Sequence, residues 1–188
     1  IYKFPFWIFY PLIIPVILWL SSFYCRISEY ENLNGYFGEN ISFDHDAILF
    51  ENSIFSYSKI ENLKVYGNSY QGELLENSRS GAMYGNGTKN LISFIYESKK
   101  YEFYFQLIST VHADELQRAL LLIITNEKIP YQRKYLNLID TEYRSFMQFE
   151  LFIAKLIKEK RVECTEGLLL IGYETDEEAK ELRGKYCC

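Results

Sequence analysis

Twenty-one consecutive residues, from Phe4 to Tyr24, carry no charge and are mostly apolar. As a helix they would be about 30 Å long at ~1.5 Å per residue, which matches the hydrocarbon core of a bilayer. The pattern predicts a transmembrane helix in residues 1–25 and a single-pass membrane protein. Two other interpretations stay open: a cleavable signal peptide, for which Ser21 and Ser22 are the only small residues near a cleavage point, and a buried core helix.

Aromatic and basic residues near both ends of this stretch favour the membrane interpretation. Amphipathic rings prefer the headgroup zone, and a basic side chain can extend from the apolar region to water. The predicted membrane-interface residues are Trp7, Tyr10, Trp19, Tyr24 and Arg26.

Two prolines four residues apart, Pro11 and Pro15, lie inside the same stretch. Each removes a helix hydrogen bond, which membrane helices tolerate when a neighbouring group satisfies the freed carbonyl. We therefore expect a kinked helix whose partners are the lipid bilayer and another protein or a neighbouring transmembrane helix.

The composition argues against several classes of function. The formal net charge is −5, and the basic residues are mostly dispersed, whereas a nucleic-acid-binding protein usually presents a basic face. The cysteines (Cys25, Cys164, Cys187 and Cys188) form no CxxC pair, and the two histidines are far from them in sequence. No metal site and no cofactor are expected. The pattern favours free thiols in a reducing compartment, so the soluble domain is expected to face the cytoplasm.

The rest of the chain divides into three parts. Residues 26–40 are a polar connector. Residues 41–127 alternate short apolar runs with Asn, Asp, Gly and Ser turns, which predicts an antiparallel β domain with a long hairpin at residues 91–107. A helix at residues 110–126, capped by Thr110, would cover this sheet. Residues 128–188 predict a small helix–strand–helix tail, with helices at 140–160 and 176–185 and a strand at 167–173.

Residues 67–90 break the strand pattern and contain five glycines. A long irregular loop in a compact domain is usually functional or disordered. We expect one or the other here, and the candidate partner-contact residues are Arg79, Met83, Tyr84 and Lys89.

The strands of residues 41–66, followed by the hairpin and helix of residues 91–124, resemble the pleckstrin-homology-like (PH-like) fold of small bacterial membrane-anchored proteins. The resemblance implies an α+β protein in which an antiparallel barrel is capped by a C-terminal helix and binds rather than catalyses. The predicted first hairpin tip reads Asp44-His45-Asp46. Because two carboxylates would repel a polyphosphate, no specific phosphoinositide binding is expected.

No arrangement of residues indicates catalysis. The paired carboxylates lie in a predicted turn and at a helix start, where they are not expected in the apolar pocket that acid–base work requires. The sequence therefore predicts a membrane-anchored, non-catalytic interaction module of PH-like fold. The alternative is a membrane-associated immunity or accessory protein that binds a partner protein.

Overall fold

The computed structural model describes residues 10–27, 29–33, 35–75 and 82–187, and within them the chain is α+β. The helices are α1 (Tyr10–Ile27), α2 (Thr110–Thr125), α3 (Thr141–Arg144), α4 (Met147–Lys158), α5 (Cys164–Ile171) and α6 (Asp176–Tyr186). The strands are β1 (Ile41–Phe43), β2 (Ala47–Phe50), β3 (Ser53–Ser56), β4 (Ile60–Tyr66), β5 (Gln71–Leu74), β6 (Tyr84–Asn86), β7 (Asn90–Tyr96) and β8 (Lys99–Phe105).

The strands form three small antiparallel sheets, ordered β1-β2-β3, β4-β7-β8 and β5-β6. None of them closes into a barrel, so the predicted PH-like barrel is wrong. The reason lies in the strand order: β1 and β8 each end a sheet, and no described strand pairs with the outer edge of either.

Aromatic side chains join the two three-stranded sheets face to face. The Phe55 ring of β3 meets Phe94 of β7 and Tyr101 of β8 edge-on, with ring centroids 5.1 and 4.8 Å apart. Phe50 of β2 lies 4.4 Å from Phe103 of β8. Such offset and edge-to-face pairs add to the energy of burial, so this contact forms one half of the core.

The predicted hairpin is confirmed as β7 and β8, which pair from Asn90↔Phe105 to Tyr96↔Lys99. Its turn is Glu97-Ser98, with φ values of 50° and 66°. A two-residue turn with both φ values positive matches the right-handed twist of the strands.

The other half of the core is helical. The predicted helix at residues 110–126 is confirmed as α2, and Leu116, Leu120 and Ile124 on its apolar stripe are buried. Its N-cap is Ser109, whose hydroxyl accepts a hydrogen bond from the His112 amide; the predicted cap, Thr110, is one residue too late.

Every regular element described in residues 128–187 is a helix, so the predicted helix–strand–helix tail is wrong. The apolar run 167–173 lies mostly in α5 rather than in a strand, because a short run rich in leucine favours a helix and its periodicity does not distinguish the two. The predicted long helix is divided into α3 and α4. The final helix is confirmed as α6, with the Thr175 hydroxyl accepting from the Glu178 amide.

A disulfide bond joins Cys164 at the start of α5 to Cys187 just after α6. The expectation that these cysteines are free thiols is therefore wrong, and the argument for a cytoplasmic domain that rested on it falls too. Sequence spacing did not reveal the pair, because the bond depends on how α5 and α6 pack.

None of the helices in the described ranges combines the length and the apolar character that a membrane crossing requires. The predicted transmembrane helix and the single-pass location are therefore corrected. The prediction counted 21 residues from Phe4, of which residues 4–9 lie outside the described residues; the described helix α1 has 18 residues.

Candidate functional site

A groove of about 900 Å³ lies between the outer edge of β8 and helix α2. One wall is formed by residues 104–108, which end β8 and lead into α2. A second is the N-terminal half of α2, through His112, Glu115 and Leu116. The third is the segment 35–41, which leads into β1. The groove is also lined by Ile41 and Phe43 of β1, the strand that ends the other three-stranded sheet.

The side chains of β8 alternate between the core and solvent. Tyr101, Phe103 and Phe105 alternate toward the core, while Glu102 and Tyr104 face solvent, and Tyr104 is 77% exposed. Period-two alternation of this kind buries one face of a strand. This alternation does not determine which strand pairs with the outer edge, because strand pairing is made by backbone groups.

Two buried asparagines fix the strands beside the groove. The Asn90 amide nitrogen donates to the Gly87 and Ser69 carbonyls at 2.7 and 2.8 Å, and its oxygen accepts from the Ser69 amide. The Asn86 amide nitrogen donates to the Asn32 carbonyl at 3.1 Å. Because buried amides are costly to leave unpaired, these bonds hold the chain in one arrangement.

A glycine lets two chain segments approach closely at the groove's end. The Leu107 amide donates to the Gly87 carbonyl at 3.0 Å, and the Gln71 amide donates to the Leu107 carbonyl at 2.8 Å. Gly87 has φ +73°, and a Cβ there would meet the Leu107 carbonyl oxygen and lie 2.6 Å from the Gln71 nitrogen. Only glycine fits both the conformation and the space.

The groove carries negative charge. Glu39 and Glu115 are both exposed among its lining residues, which include no lysine or arginine. Within the described part of the chain neither carboxylate forms an ion pair, and the His112 side chain forms no hydrogen bond with them. These groups can attract a cationic ligand, but they are not arranged as an acid–base pair.

The groups with the clearest pKa shifts lie outside the groove, and their shifts have structural causes. Burial raises the pKa of the Tyr57 hydroxyl, which donates to the Asp44 carbonyl at 3.1 Å. Hydrogen bonds from Lys155 and Arg161 lower the pKa of Glu127, beyond the C-terminal end of α2. In the ranges that the structure covers, no cluster of three or more His, Cys, Asp or Glu side chains could hold a metal ion.

Two of the predicted membrane-interface residues have described side chains, and neither Trp19 nor Tyr24 is among the lining residues of the groove. Trp7 lies outside the described residues. Tyr10 begins α1 and Arg26 lies near its end. Trp19 and Tyr24 are exposed on the same helix.

Parts of the predicted partner loop form β5 and β6, and its described candidate residues are held by the chain itself. Arg79 lies outside the described residues. The Met83 and Tyr84 amides both donate to the Glu29 carbonyl at 3.1 Å. Lys89 pairs with Glu31 at 2.7 Å. These residues attach the connector to β6 rather than forming one open surface.

The sequence did not point to the groove. Its only signal was the alternation that put Tyr104 and Gln106 on the solvent face of a strand. That β8 ends its sheet, and that residues 35–41 lie across from it, depends on the order of strands distant in sequence.

Comparisons of the chain with protein-family models, curated proteins and solved structures found no match, so the resemblance to PH-like proteins stays a prediction.

Proposed function

We propose that this protein is a non-catalytic binding module whose groove holds part of a partner protein. The observation that carries the proposal is the open outer edge of β8 beside a groove of about 900 Å³. An unpaired strand edge presents backbone donors and acceptors that another chain can use.

The groove lining suits a peptide or protein surface. Ile41, Phe43 and Leu116 give apolar contact, while Gln106 and Thr88 add polar groups at the margin. Binding sites commonly combine a mostly apolar lining with a few placed polar groups. The fixed Asn86 and Asn90 network means that little ordering would be required on binding, which favours affinity.

A photo-crosslinking experiment in the native host tests this proposal. A photoreactive phenylalanine analogue replaces Tyr104 at the groove, or Tyr66 on β4, the opposite edge of the same sheet. Both side chains are well exposed, so the two positions differ mainly in location.

The proposal expects a discrete protein adduct at position 104, identified by mass spectrometry, that is absent at position 66. The adduct should diminish when Glu39 and Glu115 are both changed to lysine. Failure to form an adduct at position 104, or the same adducts at both positions, would overturn the proposal.

A further inference from the structure

We infer that the groove binds its partner by strand addition: an extended, basic segment of the partner pairs with the outer edge of β8. This inference rests on the proposed function and specifies the kind of segment bound. Extended peptides add to exposed sheet edges through main-chain hydrogen bonds, and alternate side chains supply specificity.

The β7–β8 hairpin determines which residues of β8 are available. The residues that flank a two-residue turn form a hydrogen-bonded pair, and the pattern then alternates along the strands. Because Tyr96↔Lys99 flanks the turn, the odd-numbered residues of β8 bond to β7. The backbone N–H and C=O groups of Lys100, Glu102 and Tyr104 therefore point to the outer edge.

A hydrogen bond beyond the strand supports this alternation. The Leu107 amide, two residues after Phe105, donates to Gly87 on the β7 side of the hairpin. The odd-numbered residues thus keep the same direction past the end of β8. Of the three outward-pointing residues, Tyr104 lines the groove, and Lys100 and Glu102 extend the same edge beyond it.

The shape of the groove favours a single strand as the occupant. Residues 35–41 lie on one side and α2 on the other, whereas paired strands lie only ~4.8 Å apart. A strand added beside β8 at Tyr104 would lie between these walls.

The charge of the groove identifies the chemistry of the segment. Glu39 and Glu115 lie on two of its walls, and the described lining residues include no lysine or arginine. Lys100, farther along the same β8 edge, is paired with Glu102 at 2.6 Å. Ile41, Phe43 and Leu116 also line the groove. A segment that alternates basic with apolar side chains would offer both kinds of side chain to this mixed lining of carboxylates and apolar groups.

Binding of synthetic peptides to the full chain, followed by NMR and amide hydrogen exchange, tests the inference. The probe is an acetylated octapeptide of alternating lysine and valine, and the matched control alternates glutamate and valine. Two further lysine–valine peptides carry N-methyl groups on alternate residues, either on the edge that would pair with β8 or on the other edge.

The inference expects saturable binding of the lysine–valine peptide with new protection of the Glu102 and Tyr104 amides, while the amides of β4 stay unchanged. N-methylation of the peptide edge that would pair with β8 should abolish binding. N-methylation of the other edge should leave binding unchanged. Changing Glu39 and Glu115 to glutamine should weaken binding about tenfold, since two exposed charge pairs are lost. The control variant, with Glu177 and Glu181 of α6 changed to glutamine, should bind normally.

Three results would overturn strand addition by a basic segment. These are equal affinity for the lysine and glutamate peptides, no effect of N-methylation on either edge, or concentration-dependent protection of Glu102 and Tyr104 without peptide, which would assign the edge to a second copy. If no peptide binds but Tyr104 still forms its adduct, strand addition is wrong and the proposed function stands. If the adduct is also absent, both are wrong.

Discussion

Cys164 and Cys187 lie 23 residues apart in sequence and are joined by a disulfide bond, with Cα atoms 5.7 Å apart. The bond attaches the end of α6, which has no buried residue of its own. Two further contacts hold the same end, since Lys185 and the Tyr186 hydroxyl both bond to Glu150 of α4.

Changing both Cys164 and Cys187 to serine should lower the free energy of unfolding by about 3 kcal/mol, because the cross-link restricts the unfolded chain. Urea unfolding measures the loss, and hydrogen exchange should be fastest in α6. A reductant should bring the wild type to the stability of the variant and leave the variant unchanged. Equal stability of wild type and variant without reductant would contradict the prediction.

Gly167→Ala should destabilise the protein by about 1–3 kcal/mol. A Cβ at Gly167 would lie 2.5 Å from Ile157 Cδ1 and 3.1 Å from Ile153 Cγ2, and overpacking a core at β-branched neighbours costs about this much. The matched control is Gly184→Ala in α6, where a Cβ meets nothing within 4 Å. That change should stabilise α6 by up to ~1 kcal/mol. Equal effects of the two substitutions on thermal unfolding would refute the close packing of α4 and α5.

Leu120→Ala should cost about 2–5 kcal/mol, whereas Leu18→Ala should change the free energy of unfolding by less than ~0.5 kcal/mol. Leu120 of α2 is 1% exposed and Leu18 of α1 is 64% exposed. The loss of unfolding free energy on truncation increases with the apolar area that is removed from the core. Chemical denaturation of both variants compares them, and a large loss for Leu18→Ala would show that α1 is buried against another part of the protein.

Tyr143→Phe should lower stability by about 1–2 kcal/mol at pH 8, because the buried Tyr143 hydroxyl donates to the Asp114 carboxylate at 2.6 Å. Burial and this carboxylate raise the pKa of Tyr143 to about 12. A raised pKa gives stability that is full below the unfolded value, about 10, and is lost as the pH rises through the folded value. The deficit of the variant should therefore shrink between pH 10 and 12.

Unfolding measured at several pH values up to 11.5 checks this dependence. Tyr104→Phe is the control, because its hydroxyl lies in solvent and its removal should not change stability at pH 8. A deficit for Tyr143→Phe that stays constant with pH would contradict the assignment.

Local sequence patterns predicted β8 and α2, because the conformation of each follows from the pattern of its own residues. The alternation of Tyr101, Phe103 and Phe105 identified β8, and the apolar stripe through Leu116 and Leu120 identified α2. The run at residues 167–173 was assigned wrongly because its conformation depends on packing against Ile153 and Ile157, which sequence periodicity does not show.

The groove could not be predicted in the same way. Its walls come from residues 35–41, from the end of β8 and from α2, which meet only after the two sheets have packed. The alternation along β8 showed which side chains face solvent, but it did not show which strands end each sheet. Long-range strand order therefore had to come from the structure.

The Gly87 and Asn90 pair has a consequence for recognising related chains. The left-handed backbone at Gly87 excludes other residues. The side-chain amide of Asn90 closes the same turn by donating a hydrogen bond to the Gly87 carbonyl at 2.7 Å. Distant relatives with this crossing should retain the spacing Gly-x-x-Asn just before a strand, even where the rest of the sequence has diverged. A four-residue signature of this kind gives remote homologues a testable mark.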